Sequence, residues 1–215
     1  MTYHSLIFDL DGTLTDPLTG ILRCMNYALS SHSHQVISET ALKPFIGPPL
    51  EIGLSELSGS NDEAHIKELV ATYRERYGEI GYTENVVYDG ISQMLNSLQS
   101  EGFRMGVCTS KFEKYAIKVL ENFELDQYFE FVSGSGEPGL TKADQLQSLL
   151  DSGIVEQNSL MIGDRDIDLI SAHKTGLGCA AVLWGYGSLK ELTSEHPDFL
   201  AETPAQLAQS IIEKK

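Results

Sequence analysis

Asp9 and Asp11 stand two residues apart in the run Asp9-Leu10-Asp11-Gly12-Thr13, at the end of a short apolar segment over residues 5–10. Alternate side chains of a strand share a face, so two carboxylates at this spacing can address one ligand. Gly12 removes a side chain where backbone amides could approach a phosphate. An Asp-Gly turn with no ligand is the bland alternative for this motif alone. Other polar groups also follow apolar runs. Thr109-Ser110-Lys111 follows residues 104–108, and Gly163-Asp164 follows residues 160–162, with Asp168 shortly after. Hydroxyls and amides ahead of a helix start suit an anion, although Ser110 could instead cap that helix. Asp164 and Asp168 likewise have the alternative of complementing a helix dipole. Taken together, four acids and a phosphate-type loop at the ends of successive strands point to one shared ligand.

The elements needed to position these groups are legible as apolar runs and periodicities. Runs over 5–10, 104–108, 129–133, 160–162 and 179–183 are candidate parallel strands, each ending in Gly, Ser, Thr or Asp or, at 184–185, in Trp-Gly. Helical spacing links Ile91, Leu95 and Leu98, then Ala116, Val119 and Leu120, then Leu146, Leu149 and Leu150. Strand and helix alternate from residue 86 onward, which predicts an open parallel sheet with helices on both faces. Ligands of such sheets sit beyond the carboxyl ends of the strands. Residues 16–83 break the alternation with helical patterns over 21–30, 50–57 and 63–77, so an all-helical insertion is expected there as a cap over the crevice. The α/β core is then residues 1–15 and 84–215. Within the insertion, Gly47 and Pro48 belong to a proline-restricted loop over 45–50 that could close on a substrate or simply turn between helices. Arg23, Asn26, Arg74 and Arg76 are either substrate contacts or part of a solvated helix face. The loop Trp184-Gly185-Tyr186-Gly187 is either a border of the site or packing.

A chain of 215 residues suits one main domain with an insertion. Its 31 acidic and 15 basic residues give a formal charge of −16, which opposes binding to nucleic acid or an anionic membrane surface. An acidic protein that handles phosphate has to gather its few cations locally or borrow a metal ion. Cys24, Cys108 and Cys179 are too few and too scattered for a disulfide framework or a zinc site, and read as buried thiols. With no leader-like segment and no run approaching 18 apolar residues, a cytoplasmic protein is expected. Whether it is a monomer or a homodimer is not encoded in any pattern found.

The ordered set Asp9 to Thr13, Thr109-Ser110, Lys142 and Gly163-Asp164-Arg165-Asp166-Ile167-Asp168 resembles the haloacid dehalogenase-like superfamily, in the form carried by phosphoglycolate phosphatase-like members with a helical cap. The resemblance implies Asp9 as nucleophile, Asp11 as general acid and then base, and Thr109 as a phosphate hydrogen-bond donor. It implies magnesium held by Asp9, Asp164 and the backbone carbonyl of Asp11, with Asp168 either binding the metal's water or supporting Lys142. Lys142 fits the family position, while Lys111 is a second lysine able to reach phosphate, beside Gly12 and Ser110. Asp166 is expected at the surface. A carboxylate approaching a phosphate dianion meets repulsion of about 1 kcal/mol per charge pair at 4 Å in water and more in a drier site, so a cation and a lysine are physically required. Oxygen ligands favour Mg2+ over zinc. The implied activity is hydrolysis of a small phosphate ester, phosphoglycolate-type first and a 5′-nucleotide second. Dehalogenation is disfavoured by Asp11 and Gly12. A receiver-type phospho-acceptor or a phosphate-binding protein without turnover is the alternative of a different class.

Overall fold

The computed structural model of the protein describes residues 3–136 and 140–215. The chain forms two compact units, one of Met1–Asp16 with Val87–Lys215 and one of Pro17–Val86.

The first unit begins with β1 (Ser5–Phe8), whose residues are all buried. A continuous apolar run of this kind suits a parallel strand covered on both faces. The chain leaves this unit through β2 (Thr15–Asp16) and re-enters it through β3 (Val86–Val87), and these two short strands pair with each other. The remaining strands are β4 (Arg104–Phe112), β5 (Val132–Ser135), β6 (Ser159–Gly163), β7 (Gly178–Val182) and β8 (Phe199–Ala201). With β1 they form one six-stranded sheet in the order β5-β4-β1-β6-β7-β8, every pair parallel. The helices of this unit are numbered after four in the insertion: α1 (Leu18–Ser31), α2 (Glu39–Leu42), α3 (Leu50–Ser58) and α4 (Glu63–Glu79). They are α5 (Ile91–Ser100), α6 (Glu113–Asn122), α7 (Lys142–Asp151), α8 (Asp166–Thr175), α9 (Leu189–Ser194) and α10 (Pro204–Ile212). They flank the sheet in the open α/β arrangement that the alternation predicts.

Register sets where the polar groups emerge. Phe8 stands beside Val107 on one side and Ile162 on the other. Asp9, one residue beyond Phe8, and Thr109 and Asp164, two residues beyond Val107 and Ile162, therefore lie toward the same carboxyl edge. Three details differ from the sequence expectation. β8 is a sixth strand, and its three residues alternate buried, exposed, buried over too short a span to show a period. β5 starts at Val132 and carries Gly134 and Ser135 inside it, where a turn was expected. β4 does not stop at Cys108. It shifts register against β5 and resumes pairing at Phe112 with Ser135, so Thr109, Ser110 and Lys111 ride on an extended segment. Ser110 is consequently not a helix cap, since α6 begins at Glu113 with Phe112 before it and no side-chain cap bond.

The second unit contains α1 to α4 with 3-10 turns at Lys43–Phe45 and Gly81–Thr83. α1 packs on α4. Ser38 caps α2, Asp62 caps α4 through Ala64 N–H, and Gly59 closes α3 in the left-handed conformation that glycine adopts without strain. All three cysteines are buried thiols outside any disulfide. Among the described residues, no helix is long and apolar enough to cross a membrane.

Ile7 lies fully buried in the central strand, packed in a cluster with Cys108, Leu146, Met161 and Cys179. Ile7→Ala is expected to destabilise the α/β unit by about 2–5 kcal/mol, whereas Leu200→Ala on the exposed side of β8 should change stability by less than about 1 kcal/mol. Urea denaturation of the two variants checks the difference.

Candidate active site

Asp9 follows the last residue of β1, and its N–H donates to the Ile162 carbonyl at 2.8 Å, which ties the strand end to β6. Its carboxylate is 2 % exposed. Lys142, the first residue of α7, extends into the same place. Thr141 and Asp144 cap that helix reciprocally, fixing where its first turn starts and hence where Lys142 projects. Lys142 Nζ lies 2.8 Å from Asp9 Oδ1 and also donates to Asp168 Oδ1. The lysine is itself only 2 % exposed.

Asp168 is the third residue of α8, and its second oxygen accepts the Arg165 N–H at 3.1 Å. Its other oxygen, Oδ1, is the one that Lys142 reaches. Asp164 sits in the turn between β6 and α8, where Thr13 Oγ1 donates to Oδ1 at 3.1 Å and Tyr186 N–H donates to Oδ2 at 2.8 Å. Asp166 starts α8 and is half-buried, its N–H donating to Glu191 at 3.2 Å, outside the cluster of acids. Asp11 is buried and pairs through Oδ2 with Lys111 Nζ at 2.5 Å. Thr109 is buried, and its Oγ1 accepts the Lys111 N–H at 3.3 Å. Both lysines therefore reach the motif acids, Lys142 at Asp9 and Lys111 at Asp11.

Two glycines make this density possible. Gly12 has φ +90, and a side chain there would run into the Asp164 carboxylate. Gly185 lies against Asp164 Cβ and the Gly12 carbonyl, so a side chain there would displace the acid as well. The loop carrying Gly185 is a part of the site that sequence reasoning left undecided. Trp184 Nε1 donates to the Thr13 carbonyl at 2.9 Å, and the Tyr186 hydroxyl donates to Asp16. The available signal was its place after a strand end, diluted by the packing habit of aromatics.

Gly47 and Pro48 belong to the helical unit, in the turn between the 3-10 segment and α3; Gly47 has φ +105. Arg23, Asn26, Arg74 and Arg76 carry partners within that unit. Arg23 and Arg76 pair with Glu84 at 2.6 and 2.8 Å, Arg74 lies 3.5 Å from Glu51, and Asn26 bonds both backbone groups of Ile37.

One oxygen each of Asp9, Asp164 and Asp168 lies within 4.8 Å of the others. Burial pushes the Asp164 carboxyl well above its ordinary range, with Asp168 and Asp9 adding to the rise. Burial also drives Asp168 up to about 6 against the pull of Lys142. Burial alone would lower Lys142, but Asp168 and Asp9 outweigh it and hold its proton firmly. Asp11 is raised by burial, with Lys111 opposing. Burial raises the Tyr186 hydroxyl, and its bond to Asp16 raises it further. Oδ1 of Asp9 is an ion-pair partner of Lys142 without hydrogen-bond alignment, and Oδ1 of Asp11 likewise has no hydrogen-bond donor. Crowded, under-donated carboxylate oxygens of this kind fit a hard divalent cation.

The profile of the haloacid dehalogenase-like hydrolases matches residues 6–182. The chain belongs to that family. A 5′-nucleotidase of Pseudomonas aeruginosa is 38 % identical over 97 % of this chain and 96 % of its own length. A phosphoglycolate phosphatase of Aquifex aeolicus is 28 % identical over 95 % of this chain and 94 % of its own. The crystal structure of a predicted phosphatase from Clostridium acetobutylicum superposes with a TM-score of 0.92 at 35 % identity, covering 99 % of this chain and all of the other. The matched span contains Asp9 to Thr13, Thr109-Ser110, Lys142 and Gly163 to Asp168.

Removing Lys142 leaves Asp9 and Asp168 without their nearest cation. Lys142→Met is expected to destabilise the protein by about 3–5 kcal/mol at neutral pH, the penalty for stranding a buried charge. Adding Asp168→Asn to that variant should recover part of the loss. Denaturation curves for the single and double variants measure both effects.

Proposed function

We propose that the protein is a magnesium-dependent phosphatase of small organic phosphate monoesters, acting through an aspartyl-phosphate on Asp9. The observation that carries this reading is the pairing of buried Asp9 with Lys142 beside a cluster of two further acids. In this reading Asp9, Asp164 and the Asp11 carbonyl hold Mg2+, with Asp168 orienting Lys142. When bound there, magnesium would offset the anionic charge and stabilise the charge that develops as the phosphoryl group transfers.

The chain's own groups supply the rest. Asp9 attacks phosphorus with an ionised oxygen. Lys142 neutralises the incoming phosphate and keeps Asp9 aimed. Thr109, Ser110 and the turn at Gly12 donate hydrogen bonds to the phosphoryl oxygens, and Lys111 adds positive charge on the Asp11 side. Asp11, with one oxygen paired to Lys111 and the other without a donor, gives a proton to the departing alkoxide and then takes one from the attacking water. The aspartyl-phosphate C–O–P linkage breaks at the P–O bond, returning Asp9 and releasing inorganic phosphate. The core would be residues 1–15 and 84–215, with the helical insertion at 16–83, including Gly47 and Pro48, selecting the leaving group.

A phosphoglycolate-type monoester is the first substrate class. A nucleoside 5′-monophosphate is the second, favoured by the 38 % identity to a 5′-nucleotidase along nearly the whole chain. Phosphate release from a panel containing both separates them. Excess chelator should abolish turnover and Mg2+ should restore it; full activity in chelator would remove the metal from the mechanism.

Asp9 and Asp11 should fail at different steps. With an activated aryl phosphate, whose phenolate leaves without a proton, Asp11→Asn should still phosphorylate Asp9 and then stall, because water lacks its base. General base help is worth about 100- to 10,000-fold, so the intermediate should accumulate enough for rapid-quench intact-mass detection. Asp9→Asn should form none. A phosphoenzyme in Asp9→Asn would overturn the assignment.

A further inference from the structure

A second cluster of metal-ligating side chains lies wholly inside the helical unit. α1 ends at Ser31, and the chain turns through His32-Ser33-His34. Ser33 occupies the left-handed region at φ 63, an unfavourable conformation for a residue with a Cβ. The strained turn is held from outside: Asn26 donates to the Ile37 carbonyl at 3.0 Å and accepts the Ile37 N–H at 2.7 Å. Across from it, α4 presents His65, Glu68 and Thr72, spaced on one helix face. The His32 and His65 ring centres are 5.6 Å apart, and those of His34 and His65 are 5.0 Å apart.

The hydrogen bonds around the rings determine which nitrogens are left over. Thr72 Oγ1 donates its proton to the Glu68 carbonyl at 3.0 Å. With its proton there, Thr72 Oγ1 accepts from His32 Nε2, 2.9 Å away, an arrangement that puts the proton of neutral His32 on Nε2 and a lone pair on Nδ1. His34 and His65 meet Nε2 to Nε2 at 2.7 Å, a contact that needs one proton between them. His65 Nδ1 faces Glu68 Oε2 across 3.9 Å. That gap is too long for a hydrogen bond if Nδ1 carries a proton, and it sets two lone pairs against each other if it does not. A cation fills it. Zinc bonds to nitrogen and carboxylate oxygen are about 2.0–2.2 Å, which puts two tetrahedral ligands about 3.4 Å apart. Glu68, 67 % exposed, has the freedom to close the difference.

We propose that His32, His65 and Glu68 bind a divalent transition-metal ion of the zinc type, with Thr72 and His34 orienting the two imidazoles from behind. One ligand atom from each of the three lies within 4.8 Å of the others. Two nitrogens and one oxygen are the donors a borderline cation prefers, unlike the all-oxygen set at Asp9, Asp164 and Asp168. Outer hydrogen bonds of the kind made by Thr72 and His34 are the usual device for fixing the tautomer of a metal-bound histidine. The ion would cross-link the end of α1 to α4 and bridge the 3.9 Å between His65 and Glu68. The site stands independently of the phosphatase reading.

The untagged full chain should be titrated with Zn2+ by calorimetry in the presence of excess Mg2+, and with Co2+ as an optical probe. One equivalent of zinc is expected, with cobalt showing the intense visible absorption of a nitrogen-containing tetrahedral site. His65→Ala and His32→Gln should abolish both signals. Thr72→Val, which leaves every ligand in place, should weaken zinc about 10- to 100-fold through the lost orienting bond. Asp164→Asn should leave the signals intact. Zinc should raise the melting temperature of the wild type and not of His65→Ala, with circular dichroism confirming that both are folded. Absence of stoichiometric zinc, zinc binding that survives in His65→Ala, or binding lost in Asp164→Asn would overturn the proposal.

Discussion

Like charges crowded at one end of a sheet are the constraint on which this structure is built. Asp9, Asp11, Asp164 and Asp168 are all nearly inaccessible to water, which would otherwise screen them. Lys142 is the group that allows β1, β6 and α8 to bring their acids together, because it contacts two of them at once. Placing that lysine requires α7 to begin at one particular residue, and the reciprocal cap of Thr141 and Asp144 sets the start. Helix capping, usually a matter of stability, here determines the position of a charge. Lys111 plays the corresponding part on the other side, and it reaches Asp11 because β4 continues past Cys108.

The amount of this that was legible in the sequence follows from the range of each signal. Buried parallel strands are continuous apolar runs, so β1, β4, β6 and β7 could be read directly, and the long helices α1, α3 and α4 showed their period. β8 and the two-residue strands are defined by partners rather than by their own pattern, and no window reveals them. The four acids stand out because Asp9 and Asp11 close the first apolar run and Asp164 and Asp168 come shortly after the run at 160–162. The Trp184 to Gly187 loop was not decided, since its role depends on backbone groups: a peptide N–H bonded to Asp164 and the absence of side chains at Gly185 and Gly187. Sequence patterns carry little information about main-chain donors.

The histidine cluster is a further case of that limit. His32 and His34 are separated from His65 by a helix-length stretch containing α2 and α3, and a lone histidine on an amphipathic helix is unremarkable. Only the packing of α1 on α4 joins them. The surplus arginines of the same unit resolved the opposite way: Arg23 and Arg76 converge on Glu84, so charges that read as candidate substrate contacts turn out to brace the unit from within.

Tyr186 has a consequence of a mechanical kind. Its N–H holds one oxygen of Asp164, while its hydroxyl holds Asp16, the residue at which the chain departs toward the insertion. A single residue thus works as a strut, its backbone N–H on Asp164 and its ring hydroxyl on the exit strand. The course of the chain at Asp16 and the orientation of a carboxylate are thereby tied through one tyrosine, by a route outside the sheet.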